Sequence, residues 1–336
     1  MITKLWVKQF RNLEETVVSF EPNQHVCITG DNNHGKTSFL ETIHILTHLK
    51  GVTKPLDTSM IQWGADHAVF GMQYEINEQT HKAYLKLEPT QKLLFVDERV
   101  VRTFRPYCSS FLVTYISADA LRFFQESPHT RRHFFDRFTM TLWPEKTRYY
   151  NQYSKLLRQK NHAIKQNRPP HEWRVYQEQL EPIGVQIQAD RTEIAQLINQ
   201  ELEHIKRNFS FLATKTITIA IQPNDLGSHR DDVQVFIDDH LISQSYSRGV
   251  NRLVALLIYW AQIHILRDRF GIRPIGLLDD PFVELDESNK SDILTFFMAN
   301  MTCYYATVTA HDRSFFTSSD QCLSIQNGQV KNYMTC

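Results

Sequence analysis

Gly30-Asp31-Asn32-Asn33-His34-Gly35-Lys36-Thr37 has the spacing GxxxxGK[ST]. Residues of these types can hold a polyphosphate. Such a loop turns its backbone N–H groups toward a phosphate, at the positive end of the helix that follows. Lys36 can reach the outer phosphates of a nucleotide, and the Thr37 hydroxyl can ligate Mg²⁺. His34 is expected to be a loop residue without a chemical role. The competing reading is a chance match in a turn, which the apolar strand before the loop and the helix after it oppose. A second acidic element must hold the metal. Pro274-Ile275-Gly276-Leu277-Leu278-Asp279-Asp280-Pro281 supplies one, with Asp279 for the ion and Asp280 to orient or deprotonate an attacking water. Its competing reading is a plain strand ending in an Asp-Asp-Pro turn. Ser247-Arg248-Gly249 opens a long apolar helix and offers another phosphate contact, or else an ordinary N-cap by Ser247.

The elements around these residues read as follows. Alternating apolar residues predict strands over 2–7, 16–20, 25–29, 68–76, 83–87, 93–96 and 113–116. An amphipathic helix is expected from Lys36 to Leu49. From Ala118 to Phe209 the period is helical, with Pro169-Pro170 between two stretches, which predicts an antiparallel helical hairpin. Pro182 should kink or break the second stretch. At ~1.5 Å per residue such an arm reaches only about 50 Å. Strands return over 215–221, 233–237, 275–278 and 303–308, with a buried helix from Arg248 to Leu266. Its most apolar part, Leu253 to Leu266, is too short to span a bilayer. No signal-peptide pattern opens the chain.

In this order the elements resemble the RecF family. Phe10-Arg11-Asn12-Leu13 looks like that family's FRN(Y/L) opening, and Thr37-Ser38-Phe39-Leu40-Glu41-Thr42-Ile43 is similar to its KTNLLEAI. Ile61-Gln62-Trp63-Gly64 resembles its I-R-x-G segment. Ser127-Pro128-His129-Thr130-Arg131-Arg132-His133-Phe134-Phe135-Asp136 resembles S-P-x-x-R-R-x-F-x-D, and Tyr153 to Asn161 resembles Y-x-x-x-L-x-Q-R-N. Gly227-Ser228-His229-Arg230-Asp231-Asp232 resembles GPHRDD, and the segment from Asp279 to Asp286 resembles LLLDDxxxELD. Three departures stand out. Asn33 occupies a usual Gly position, Val250-Asn251 replaces Gln-Gln after the signature, and Lys50 to Pro55 lacks a Ser-x-Arg pattern. Asn tolerates φ > 0 better than most residues, so the loop can keep its turn.

The resemblance implies an α/β fold: an ABC/SMC-type P-loop ATPase head built from both ends of the chain, with an inserted α-helical lobe. The head is expected over 1–116 and 212–336, and the helical lobe over 117–211. It implies ATP and Mg²⁺ as cofactors and a cytoplasmic ATP-dependent homodimer on DNA. It also implies recombinase loading at gaps in repair, replication and the SOS response, and RecR and RecO as partners. Arg11, Asn12 and Ser38 join the nucleotide site on this basis, and Ser247, Arg248 and Gly249 approach the γ-phosphate in trans. DNA candidates are Arg122, Arg131, Arg132 and Arg137, although Arg131 and Arg132 could equally pair with acids such as Glu126 and Asp136.

Composition limits the alternatives. Lys plus Arg and Asp plus Glu both number 37, so any basic surface must be local. Five cysteines without a CxxC pair predict reduced thiols and no zinc site. A transporter ATPase has a much shorter insertion between loop and signature, and a zinc-hook relative needs the missing CxxC. A head joined to a C-terminal nuclease domain needs more than the 25 residues that follow His311. A binding module without significant hydrolysis remains the main alternative to a slow DNA-stimulated ATPase.

Overall fold

The computed structural model describes the chain apart from residues 23, 53–55, 103–104, 309 and 334–336. Thr53, Lys54, Pro55 and Cys336 therefore lie outside the described residues. The chain forms two compact units, Met1–Ala118 with Phe270–Val283 and Glu287–Cys336, and Asp119–Arg269 with Glu284–Asp286.

In the first unit the strands are β1 (Ile2–Lys8), β2 (Thr16–Ser19), β3 (Val26–Thr29), β4 (Ala68–Ile76), β5 (Gln79–Leu87), β6 (Lys92–Val96), β7 (Arg99–Val101) and β8 (Val113–Ser117). In the second they are β9 (Ile217–Gln222), β10 (Asp232–Ile237) and β11 (His240–Leu241). The first unit is completed by β12 (Ile275–Asp279), β13 (Thr302–Thr307), β14 (Gln321–Gln326) and β15 (Gln329–Tyr333). One sheet, ordered β2-β1-β4-β5-β6-β7, is antiparallel throughout. The other runs β15-β14-β3-β13-β12-β8, and only the β14–β15 pair is antiparallel. Its strands β3 and β13 are buried at every position, as parallel strands covered on both faces must be.

Helix α1 (Lys36–His48) packs against β4 and β5 of the first sheet and β8, β12 and β13 of the second. It was expected to be amphipathic. Instead Glu41, Thr42, His44 and Thr47 are buried with Phe39, Leu40, Ile43 and Leu46, because apolar sheets flank the helix. Thr42 and Thr47 satisfy their hydroxyls on carbonyls of the preceding turn.

The second unit contains α2 (Pro128–Leu142), the hairpin of α3 (Thr147–Lys165) and α4 (Pro170–Ile205), the β9–β11 sheet, and α5 (Arg248–Phe270). Tyr150, Tyr153, Leu156, Leu180 and Ile187 form the hairpin's buried seam. Helix α4 runs through Pro182 without a break. Pro182 and Glu178, one turn before it, are exposed, so water can take the carbonyl that loses its partner. Residues 212–269, expected with the head, pack with the helical unit. Helix α4 reaches β9, and Asn199 both donates to and accepts from Ile219. Helix α5 is long and apolar enough to cross a membrane by composition, and 72% of that stretch is buried in the protein. In the first unit, helix α6 (Glu287–Asn300) connects β12 to β13. Cys27, Cys108 and Cys303 are free thiols.

Candidate nucleotide site

The loop sits where β3 meets α1, within the first unit. Its turn depends on three unusual backbone angles. Gly30 has φ 157°, and a Cβ there would meet the Ile325 carbonyl oxygen at 2.2 Å. Gly35 has φ 113° and a Cβ would meet Leu13 at 2.8 Å. Asn33 adopts φ 64°, so the departure from glycine keeps the left-handed turn.

Lys36 is 5% exposed, and its ammonium donates to the carbonyls of Gly30 at 2.8 Å and Asp31 at 3.0 Å. Burial lowers its pKa, which Asp280, Asp279 and Asp31 partly offset. The Thr37 hydroxyl donates to Asp279 Oδ2 at 2.9 Å, across 242 positions of sequence. Strand β12, held between β13 and β8, delivers that carboxylate. Asp280 adopts φ 46°, donates its N–H to Ala306 at 3.0 Å and accepts from the Val308 N–H at 3.2 Å. Burial raises its pKa, and Lys36 pulls it back.

Asn12 binds the loop directly. Its Nδ2 donates to the Asn33 carbonyl at 2.8 Å, and its Oδ1 accepts from Ser38 at 3.0 Å. Arg11 behaves differently, pairing with the buried Glu41 at 2.6 Å. Sequence reasoning missed Tyr115, whose hydroxyl donates to Asp279 Oδ2 at 2.6 Å. The carboxylate holds that phenol's pKa up, after burial. Tyr115 sits in the middle of β8 in register with Leu277, and no spacing rule marks a lone tyrosine within a strand.

The donor chemistry fits Mg²⁺ and a polyphosphate. Thr37 and Asp279 offer adjacent hard oxygen ligands, and the glycine turns keep side chains off the backbone cradle. Among the described residues no group of three His, Cys, Asp or Glu could hold a metal unaided. Mg²⁺ characteristically completes its shell with substrate phosphates and waters.

In the second unit, Ser247 accepts the Val250 N–H at 3.4 Å, as an N-cap does. Asn251 turns its amide back onto the Tyr246 and Ser247 carbonyls. A Cβ at Gly249 would meet the Glu284 carbonyl oxygen at 3.1 Å, so the glycine admits a close backbone approach. Arg248 is exposed and lines a cavity of about 120 Å³ with Arg122, Arg252 and Glu284.

The four DNA candidates divide. Arg131 makes two hydrogen bonds to Asp232, at 2.8 and 2.9 Å. Arg132 is buried and donates to the Asp231 carbonyl. Asp231, fully buried, pairs with Arg191 at 2.9 Å, and Arg191 also holds Asp136 at 2.8 Å. The segments 127–136 and 227–232, about a hundred residues apart, thus form one charge clasp. Arg122 and Arg137 remain exposed, Arg122 lying 3.7 Å from Asp119.

Comparison with known proteins agrees with this geometry. Residues 1–105 match the AAA ATPase domain family model. The chain is 28% identical over 331 residues to a DNA replication and repair protein RecF of Halalkalibacterium halodurans, covering 87% of this chain and 88% of that protein. It is 27% identical to the RecF of Acholeplasma laidlawii, covering 91% and 93%. A solved structure of the recombination mediator protein RecF-ATPrS superposes with a TM-score of 0.84 at 19% identity, covering 99% and 98%. An Smc head domain from Pyrococcus furiosus gives 0.61 at 14%, covering 99% and 95%. The fold is that of ABC/SMC-type α/β ATPase heads. Within that class the sequence likeness runs nearly end to end with one family. The chain is similar to RecF proteins at 23% to 28% identity over most of its length.

Proposed function

We propose that this chain binds ATP with Mg²⁺ and couples the nucleotide to DNA binding in recombinational repair and replication. The single observation behind this is the Thr37–Asp279 contact, which joins the loop to the paired-acid strand beside Lys36 and Asp280. Lys36 leaves its loop carbonyls for the β- and γ-phosphates, and Thr37 and Asp279 take the ion. Asn12 and Ser38 brace the loop, and Asp280 orients the attacking water. Mg²⁺ would neutralise charge that develops on the transferring phosphoryl group. Turnover is slow and stimulated by DNA, since an aspartate at this position reaches less far than a glutamate.

ATP drives a homodimer with composite sites, in which Ser247, Arg248 and Gly249 approach the γ-phosphate of the partner protomer. A helix N-terminus there supplies N–H donors and excludes water. Closed two-fold symmetry buries two nucleotides. Asn251 favours a second reading, a binding module with little hydrolysis, because its amide is already engaged on the two carbonyls just before its own helix. RecR and RecO as partners, recombinase loading at gaps, an SOS role and a cytoplasmic site belong to the same proposal by family likeness. Light scattering with ATP, Mg²⁺ and DNA tests the dimer. A wild type that stays monomeric at high concentration, or a dimer indifferent to Ser247→Arg, rejects the composite site.

A further inference from the structure

A second group of buried polar side chains lies in the first unit, and the nucleotide chemistry above does not use it. Asp312 is 2% exposed. Lys290 of α6, also buried, forms an ion pair with its Oδ1. The Tyr305 hydroxyl donates to Oδ2, and the Thr307 hydroxyl donates to the same oxygen at 2.7 Å. A buried ion pair is weak evidence for stability, because an apolar pair of equal volume often serves as well. Its hydrogen bonds do fix geometry, and here they fix a particular piece of backbone.

That backbone leads to the candidate site on two sides. Val308 follows Thr307, and its N–H donates to Asp280 at 3.2 Å. Ala306, one residue before Thr307, accepts the Asp280 N–H at 3.0 Å. The Tyr305 ring packs 5.5 Å from that of Phe282, two residues beyond Asp280. Arg313, next to Asp312, donates to Thr29 at 2.7 Å, and Thr29 immediately precedes Gly30. Asp280 itself has φ 46°, a left-handed conformation that aspartate tolerates better than most residues.

We propose that Asp312, paired with Lys290, is a positioning residue: it sets the end of β13 so that the Val308 N–H holds the Asp280 carboxylate in place. It acts through Val308 and not on the nucleotide. The inference rests on the ATP-hydrolysing role given to Asp280 above, but its geometric half can be read without turnover.

The test uses the full chain with Asp312→Asn, Lys290→Met and Lys290→Arg, each checked for folding by circular dichroism. Hydrogen exchange is measured on the peptide carrying Val308, and ATP turnover is measured in parallel. Asp312→Asn and Lys290→Met should speed exchange at Val308 and lower kcat by about ten- to a hundredfold, with KM within about threefold. Lys290→Arg should restore both. Should Asp312→Asn fail to fold, Lys290→Met keeps the side-chain volume and carries the same comparison. Unchanged exchange at Val308 in a folded variant overturns the proposal, as does a rise in KM with kcat intact. A wild type without turnover sinks the hydrolytic role instead, and the exchange data alone then decide the positioning.

Discussion

The loop in the first unit and the charge clasp in the second treat their motif residues in opposite ways. Around the loop, Asp31, Asn32, Asn33 and Thr37 are exposed, and Lys36 rests on two backbone carbonyls it can leave. In the clasp, Arg132, Arg191 and Asp231 are buried and satisfy one another. Both regions resemble family motifs. The difference teaches that a recognisable run of charged residues can serve an outside ligand or the fold, and the side chain's partner separates the two.

The largest expected effect follows from breaking the clasp. Arg191→Met leaves Asp136 and Asp231 without their shared cation, which should cost about 3–5 kcal/mol in urea unfolding. A loss below about 1 kcal/mol, the size of a surface pair, would place the clasp outside the load the fold carries. The matching change in the loop should do the reverse. Lys36→Ala should weaken ATP binding roughly ten- to a hundredfold, in line with ~1.5–3 kcal/mol for a charged hydrogen bond, and barely shift the unfolding midpoint. ATP affinity that survives in a folded Lys36→Ala protein would remove the loop from the nucleotide site.

DNA binding sharpens the contrast within the second unit. Arg137→Gln should weaken binding and reduce the salt slope by about one, while leaving stability intact. Arg131→Gln should lower stability, because Asp232 loses the two hydrogen bonds that Arg131 donates. An unfolding midpoint that moves with Arg137 and stays fixed with Arg131 would reverse these assignments. The smallest expected effect is a pH dependence shared by both units. Burial holds the pKa of His25 and His229 below the ordinary 6.5. The unfolded chain then binds more protons than the folded one below about pH 6.5, so stability is present above that pH and declines as pH falls. Thermal melts from pH 7.5 to 5.5 would show it, and midpoints that rise on acidification would contradict it.

Much of this could be read from sequence where one physical rule dominated. The loop was legible because glycine turns, a lysine and a hydroxyl have fixed offsets, and β12 because the run Ile275-Gly276-Leu277-Leu278 ends in two acids. The hairpin followed from its 3.6-residue period and Pro170 at the start of α4. Other features had no local signal. Residues 212–269 look like part of a head, and only their packing places them with the helices. Strands β14 and β15 were overlooked although Asn327 and Gly328, both at positive φ, make a hairpin turn that the sequence announces. The Arg131–Asp232 pair spans 101 positions, so no spacing reveals it.

The central claim is that Thr37 and Asp279 together hold Mg²⁺ for a nucleotide on the loop. Calorimetric titration of ATP, with and without Mg²⁺, tests this in the wild type and in Asp279→Asn. The wild type should bind ATP more tightly with Mg²⁺ present, and Asp279→Asn should lose that gain while still binding ATP. A wild type that binds no ATP, or an Asp279→Asn protein that keeps the full Mg²⁺ effect, would contradict the claim.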